Sequence, residues 1–200
     1  MKVAEVDRKP PWPASRLRLV VFRKGIWVAV AAALMAAACV DRPVEQGGGP
    51  IEGIARDDIF VLVMHVDRAS YEASEPISAG AALTYVGPAP AIDARGSGSG
   101  PILFSIEQLD GPLDMGITAT GDCATHPFVR DVAQTRQFVK SAAFDPEDPA
   151  DAFWPAYLAD PLLRLPPGDW RLTASIELAI GDCGDPWHRL EAAAEVMVQP

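Results

Sequence analysis

The chain has 200 residues, is 49% hydrophobic and 22% charged, and carries a formal net charge of −10. The charge divides unevenly: residues 1–38 hold seven Lys/Arg against two Asp/Glu, +5, and the other 162 residues hold ten against twenty-five, −15. A domain that acidic excludes nucleic-acid binding by phosphate neutralisation, and anionic membrane surfaces repel it. It is also long enough to form one domain with a substantial core.

Residues 1–25 are a basic leader in which Pro10, Pro11 and Pro13 oppose helix formation. An apolar run then extends from Ile26 to Ala38, directly after Arg23 and Lys24 and close behind Arg16 and Arg18. A basic flank, a short apolar core and a small-residue exit predict a secretory signal peptide over residues 1–38. The competing reading is an uncleaved transmembrane helix. The run is shorter than the roughly 20 apolar residues that span a bilayer. Extending it upstream would bury Arg23 and Lys24, at about 3 kcal/mol for a charge near the helix centre.

The run ends Ala36-Ala37-Ala38-Cys39, and a cysteine directly after small residues resembles the lipobox of bacterial lipoproteins. That family prefers Leu where Ala36 stands; the nearest leucine is Leu34. The resemblance implies that Cys39 is lipidated and becomes the mature N-terminus, holding the protein on the extracytoplasmic side of a bacterial membrane. Val40 follows in place of the Asp that retains some lipoproteins at the inner membrane, which points to an outer membrane or exposed surface.

Residues 40–57, with Gly47-Gly48-Gly49-Pro50, read as a flexible tether; an ordered edge strand using Ile51 and Ile54 is the alternative. The folded domain is expected over residues 58–200. Residues 59–66 are apolar on both alternating faces, as in a buried strand. A second strand runs over 77–86, after Glu75-Pro76. Residues 89–100 read as a loop ending in Gly96-Ser97-Gly98-Ser99-Gly100. Such a loop can cradle phosphate only before a helix N-terminus, and a strand-like segment at 102–109 follows instead, so a turn is expected.

Further strands are expected at 115–120 and 136–143. The acidic stretch 145–151 lacks the spacing and glycine of an EF-hand and reads as a solvated loop. One or two helical turns over 152–159 carry Phe153, Trp154, Tyr157 and Leu158, aromatics suited to capping a core. Strict alternation of Trp170, Leu172, Ala174, Ile176, Leu178 and Ile180 with polar residues marks a long strand, and residues 189–199 repeat the scheme. A turn near 181–186 joins the two as a hairpin.

About seven strands, many Pro/Gly turns and almost no helical periodicity predict an all-β antiparallel sandwich. The stretch Leu165-Pro166-Pro167-Gly168-Asp169-Trp170 resembles the turn entering the penultimate strand of immunoglobulin-like and fibronectin type III domains, with Trp170 where those families place Tyr. The resemblance implies an immunoglobulin-like fold. The stretch Tyr71–Ile77 is faintly similar to the opening of small bacterial immunoglobulin-like protease-inhibitor domains.

Catalytic motifs are missing. There is no G-x-S-x-G elbow and no H-E-x-x-H helix, and the histidines are only His65, His126 and His188. Cys123-x-x-His126 and Cys183-x4-His188 have spacings compatible with a structural zinc site. An oxidising destination favours the other pairing, a Cys123–Cys183 disulfide, with Cys39 taken by lipid. The sequence thus predicts a non-enzymatic envelope lipoprotein without cofactors, held to the membrane by Cys39 and facing a protein or glycan partner. The alternatives are an exported hydrolase or protease-inhibitor-like domain, and the zinc-stabilised module.

Overall fold

The computed structural model describes residues 48–142, 147, 151–183 and 186–200. The signal peptide, Cys39, the first part of the tether and most of the acidic stretch lie outside the described residues. Over the rest, the chain is an all-β sandwich.

The first sheet has the order β1-β2-β4-β9, antiparallel throughout. Its strands are β1 (Ile51–Arg56), β2 (Phe60–Val66), β4 (Ala79–Tyr85) and β9 (Ala133–Gln137). The second sheet is built on a long hairpin of β10 (Gly168–Ile180) and β11 (Trp187–Gln199), paired from Gly168 opposite Val198 to Ala179 opposite Trp187. β3 (Ser70–Glu72) joins β11 in parallel. The other edge of β10 is shared by β5 (Ala91–Gly96) and β6 (Leu103–Gln108). These pair in turn with β8 (Ala124–Val129) and β7 (Asp114–Met115).

Alternation explains the core. In β2, Phe60, Leu62, Met64 and Val66 are fully buried, and across the sandwich Trp170, Leu172, Ala174, Ile176 and Leu178 meet them. The aromatic rings of Tyr85 and Phe128 lie edge-on to Phe60, with centroids 5.9 and 5.4 Å away. At the entry to β10 the Trp170 indole N–H donates to the Pro166 carbonyl at 2.9 Å. This satisfies the one polar atom of a side chain that is otherwise wholly in the core.

α1 (Trp154–Ala159) lies within the expected helical segment, and its aromatics do cap the core: Trp154 and Tyr157 are buried. Lys140 Nζ donates to the carbonyls of Tyr157 and Asp160, at 2.6 and 2.9 Å, and sits over the Tyr157 ring. It thereby satisfies carbonyls that the short helix leaves without intrahelical partners. Among the described residues no helix is long and apolar enough to cross a membrane.

Several expectations need correction. Residues 51–56, assigned to the tether, are strand β1: Ile51 and Ala55 pack against the core while Ile54 is 63% exposed. The inward position between them is Gly53, where a Cβ would run into the backbone of Ala193 in β11, so glycine lets the two strands close together. Residues 91–96, read as loop, form β5, and β8 was not anticipated because Pro127 interrupts it. β8 ends the path β3-β11-β10-β5-β8, a location that tolerates proline. The expected strand at 115–120 stops at Met115, and the one at 136–143 lies earlier, as β9. Finally, the described residues form eleven strands, one pair of them parallel. The count of seven returns if β5/β6 and β7/β8 are each read as one broken strand and β1 and β3 are set aside.

Candidate functional site

The breaks in those two strands face each other. Along β10, Ser175 pairs with Leu103 and Ala179 with Arg95, so four steps on β10 stand opposite eight on the β5–β6 side. The surplus residues 97–102 bulge out of the ladder. Gly100 turns the chain there at φ +117°, a conformation that suits glycine. The facing strand has its own surplus, residues 116–123, between β7 and β8.

Side chains hold the two bulges together where ladder bonds are missing. Ser97 Oγ lies 3.2 Å from Thr120 Oγ1 and accepts the Thr120 N–H at 3.1 Å. The Gly98 N–H donates to Asp122 Oδ1 at 2.9 Å, and the Ser99 N–H to Ser97 Oγ and Thr120 Oγ1. The amides of the glycine-rich loop are therefore taken up internally, as expected of a turn. The hydrogen bonds from Thr120 and from the Gly98 N–H hold the Asp122 carboxyl below its usual range.

The Cys123–Cys183 disulfide ties the end of the second bulge to the turn between β10 and β11, with Cα atoms 6.1 Å apart. Such a bond persists in oxidising compartments, which is compatible with an extracytoplasmic domain. It also overturns the zinc alternative, because the two sulfurs are bonded to each other. The histidines are engaged elsewhere: His126 Nε2–H donates to the Ser97 carbonyl at 2.9 Å, and His188 Nδ1–H to Asp57 Oδ2 at 2.8 Å. Among the described residues no group of three or more His, Cys, Asp or Glu could hold a metal ion.

Two cavities flank the second bulge over the outer face of β10, and both are lined by Leu103, Ala119 and Glu177. The first, about 350 Å³, is bounded by Ser97, Thr120, Asp122, the disulfide and Trp187, which is 39% exposed. The second, about 380 Å³, adds Ile117, Ser175, Arg189 and Glu191. Both fall within the roughly 300–1,000 Å³ usual for small-ligand sites. Cross-strand register places Ser175 beside Glu191, Glu177 beside Arg189 and Ala179 beside Trp187. Arg189 Nε donates to Glu177 Oε1 at 2.9 Å. Ser175 is only 4% exposed, and among the described residues its Oγ has no hydrogen-bond partner.

Sequence reasoning singled out Cys123 and Cys183 but missed Ser175, Glu177, Trp187 and Arg189. The available signal was that polar residues of β10 and β11 share one face at period two. It also missed the Asp57–His188 pair at the β1–β2 turn. Asp57 Oδ1 accepts the N–H groups of Ile59 and Phe60 at 2.8 and 2.7 Å while Oδ2 takes His188. Burial pushes this carboxyl up, but those hydrogen bonds and the His188 ring outweigh it and hold it below the usual carboxylate value.

The Tyr71–Ile77 segment is a packed corner. Tyr71 is buried, its hydroxyl donates to Asp67, and the Arg68 guanidinium covers its ring while pairing with Glu75 at 2.7 Å. Burial, followed by the hydrogen bond to Asp67, pushes the Tyr71 hydroxyl pKa far above its usual value.

Compared with known proteins, the chain matches no family model and no curated protein.

Proposed function

We propose that this protein is an exported, lipid-anchored bacterial envelope protein whose immunoglobulin-like sandwich binds a partner without catalysing a reaction. The observation that carries the reading is the accounting of its cysteines. Cys123 and Cys183 are joined, which leaves Cys39, directly behind the small-residue end of a signal-peptide-like run, as the one cysteine for lipid. A disulfide suits a domain that has left the cytoplasm.

The strand order supports the immunoglobulin-like part. β2, β4 and β9 form one sheet, and β3, β11 and β10 lie in sequence in the other, with a parallel β3–β11 pair. The Trp170 bond back to Pro166 does the work of the tyrosine that ties the corresponding turn in those domains. The lack of catalytic motifs favours a binding role.

Intact mass of protein extracted from membranes under non-reducing conditions tests the proposal. The expected species begins at Cys39, carries acyl chains and lacks two hydrogens for the disulfide. Cys39→Ser should release the protein from washed membranes. A species beginning at Met1 without lipid, or a Cys39→Ser variant that stays membrane-bound, would sink the reading.

A further inference from the structure

The two cavities beside the second bulge share Leu103, Ala119 and Glu177 and together make up a candidate groove over the outer face of β10 and β11, at the end joined by their turn. Its lining follows one chemical pattern. Trp187 offers an indole plate, and Asp122, Glu177 and Glu191 offer carboxylate oxygens with Arg189 among them. Ser175 and Thr120 contribute hydroxyls. Ser175 is the most telling member, because a buried hydroxyl without a partner is costly unless something else bonds to it.

Three arguments narrow the ligand class. Three carboxylates face one guanidinium, which Glu177 already engages, so phosphate, sulfate and other anions are repelled. An indole face beside hydroxyls and carboxylates suits a ligand with apolar C–H faces and a dense rim of hydroxyls. An extended peptide binding as an added strand needs an open sheet edge, and here β10 has strands along both edges, with the interruption filled by residues 97–102.

We propose that the groove bounded by Trp187, Glu177, Arg189, Ser175, Thr120 and Asp122 is a binding site for a neutral oligosaccharide. The inference rests on the binding-domain reading above and names its ligand class. Trp187 stacks on a sugar ring, the carboxylates accept from its hydroxyls, and the Ser175 hydroxyl, sealed in the wall of the second cavity in this structure, is bonded once the ligand opens that wall. The disulfide and the hydrogen bonds between the bulges hold the groove ready, so little ordering is needed on binding.

The test is isothermal titration of the purified full chain with maltohexaose, cellohexaose and N-acetylchitohexaose. Saturable binding of at least one is expected. Trp187→Ala should weaken it by about tenfold, as for an aromatic anchor, without changing the melting temperature. Ser175→Ala should weaken it by about threefold while leaving the fold intact, since it removes the unpartnered hydroxyl itself. Absence of binding to all three sugars, or unchanged binding by Trp187→Ala, overturns the proposal. So does tighter binding of a sulfated hexasaccharide or of a neutral extended peptide. Titration of purified protein is blind to acylation and topology, so a failure here and a failure of the lipoprotein reading remain distinguishable.

Discussion

The two flanks of β10 are held by opposite means. On one, β11 pairs with it residue for residue along almost its whole length. On the other, the ladder is made by two strands with a bulge between them, and the strand facing those two is itself broken. The regular flank needs only alternation and a turn, because the backbone groups that β10 and β11 direct at each other pair in the ladder. The broken flank gives up ladder bonds and replaces them with Ser97, Thr120, Asp122 and a covalent bond. What it gains is concavity: the cavities lie at the interruption, where an unbroken sheet would present a flat face.

This contrast can be broken experimentally, and the largest effect is expected in the regular flank. Trp170→Ala empties the centre of the core and removes the bond to Pro166, and should cost about 3–5 kcal/mol in urea unfolding, with all probes moving together. Next is the double variant Cys123→Ser/Cys183→Ser. The bond spans 60 residues, so its loss should cost about 4 kcal/mol on a chain-entropy estimate. Hydrogen exchange should quicken first at residues 97–103 and 116–124, and exchange spread evenly over the hairpin would contradict this division of labour.

Gly53→Val should displace β1 from β11 and cost about 1–3 kcal/mol, with faster exchange over residues 51–56 and little change at the groove. If stability were unchanged, the close approach of β1 to β11 would not exist in solution.

The Asp57–His188 pair is a smaller contributor that depends on pH. Because the folded Asp57 carboxyl lies below its unfolded pKa, its contribution is complete above about pH 4 and is lost as the pH falls through the folded value. Asp57→Asn should therefore be less stable than the parent by about 1–2 kcal/mol near pH 5, and the gap should close towards pH 2. A gap that widens on acidification would reverse the assigned sign. The smallest effect belongs to the exposed Glu177–Arg189 pair, where Arg189→Gln should change stability by less than about 0.5 kcal/mol. That variant can therefore report on the groove without disturbing the fold.

Legibility followed the same division. β10 and β11 could be read directly because apolar residues recur at every second position, β2 because it is apolar on both faces, and β4 because an apolar run resumes after Glu75-Pro76. β1 and β5 escaped because each has one large inward residue, Ile51 or Ile92, and the other inward positions are Gly53, Ala55, Ala94 and Gly96, too small to register as a hydrophobic pattern. β8 escaped because Pro127 counts against a strand unless the strand is known to end its sheet path. Of the site, the cysteines were legible by elimination and chemistry. Ser175 and Trp187 were not, since their meaning depends on which segment lies over the outer face of the sheet.

By itself, the sequence determined the all-β class, the long C-terminal hairpin and the capping aromatics of α1, and it favoured a disulfide over zinc for Cys123 and Cys183. Each rests on local periodicity or on residue chemistry that acts wherever the chain goes. Only the tertiary structure decided that β1 belongs to the fold and that Asp57 meets His188. It alone set two bulges against each other beside an exposed tryptophan. Those outcomes depend on register between strands distant in the chain, and register is settled by the packing of the whole core rather than by any one segment.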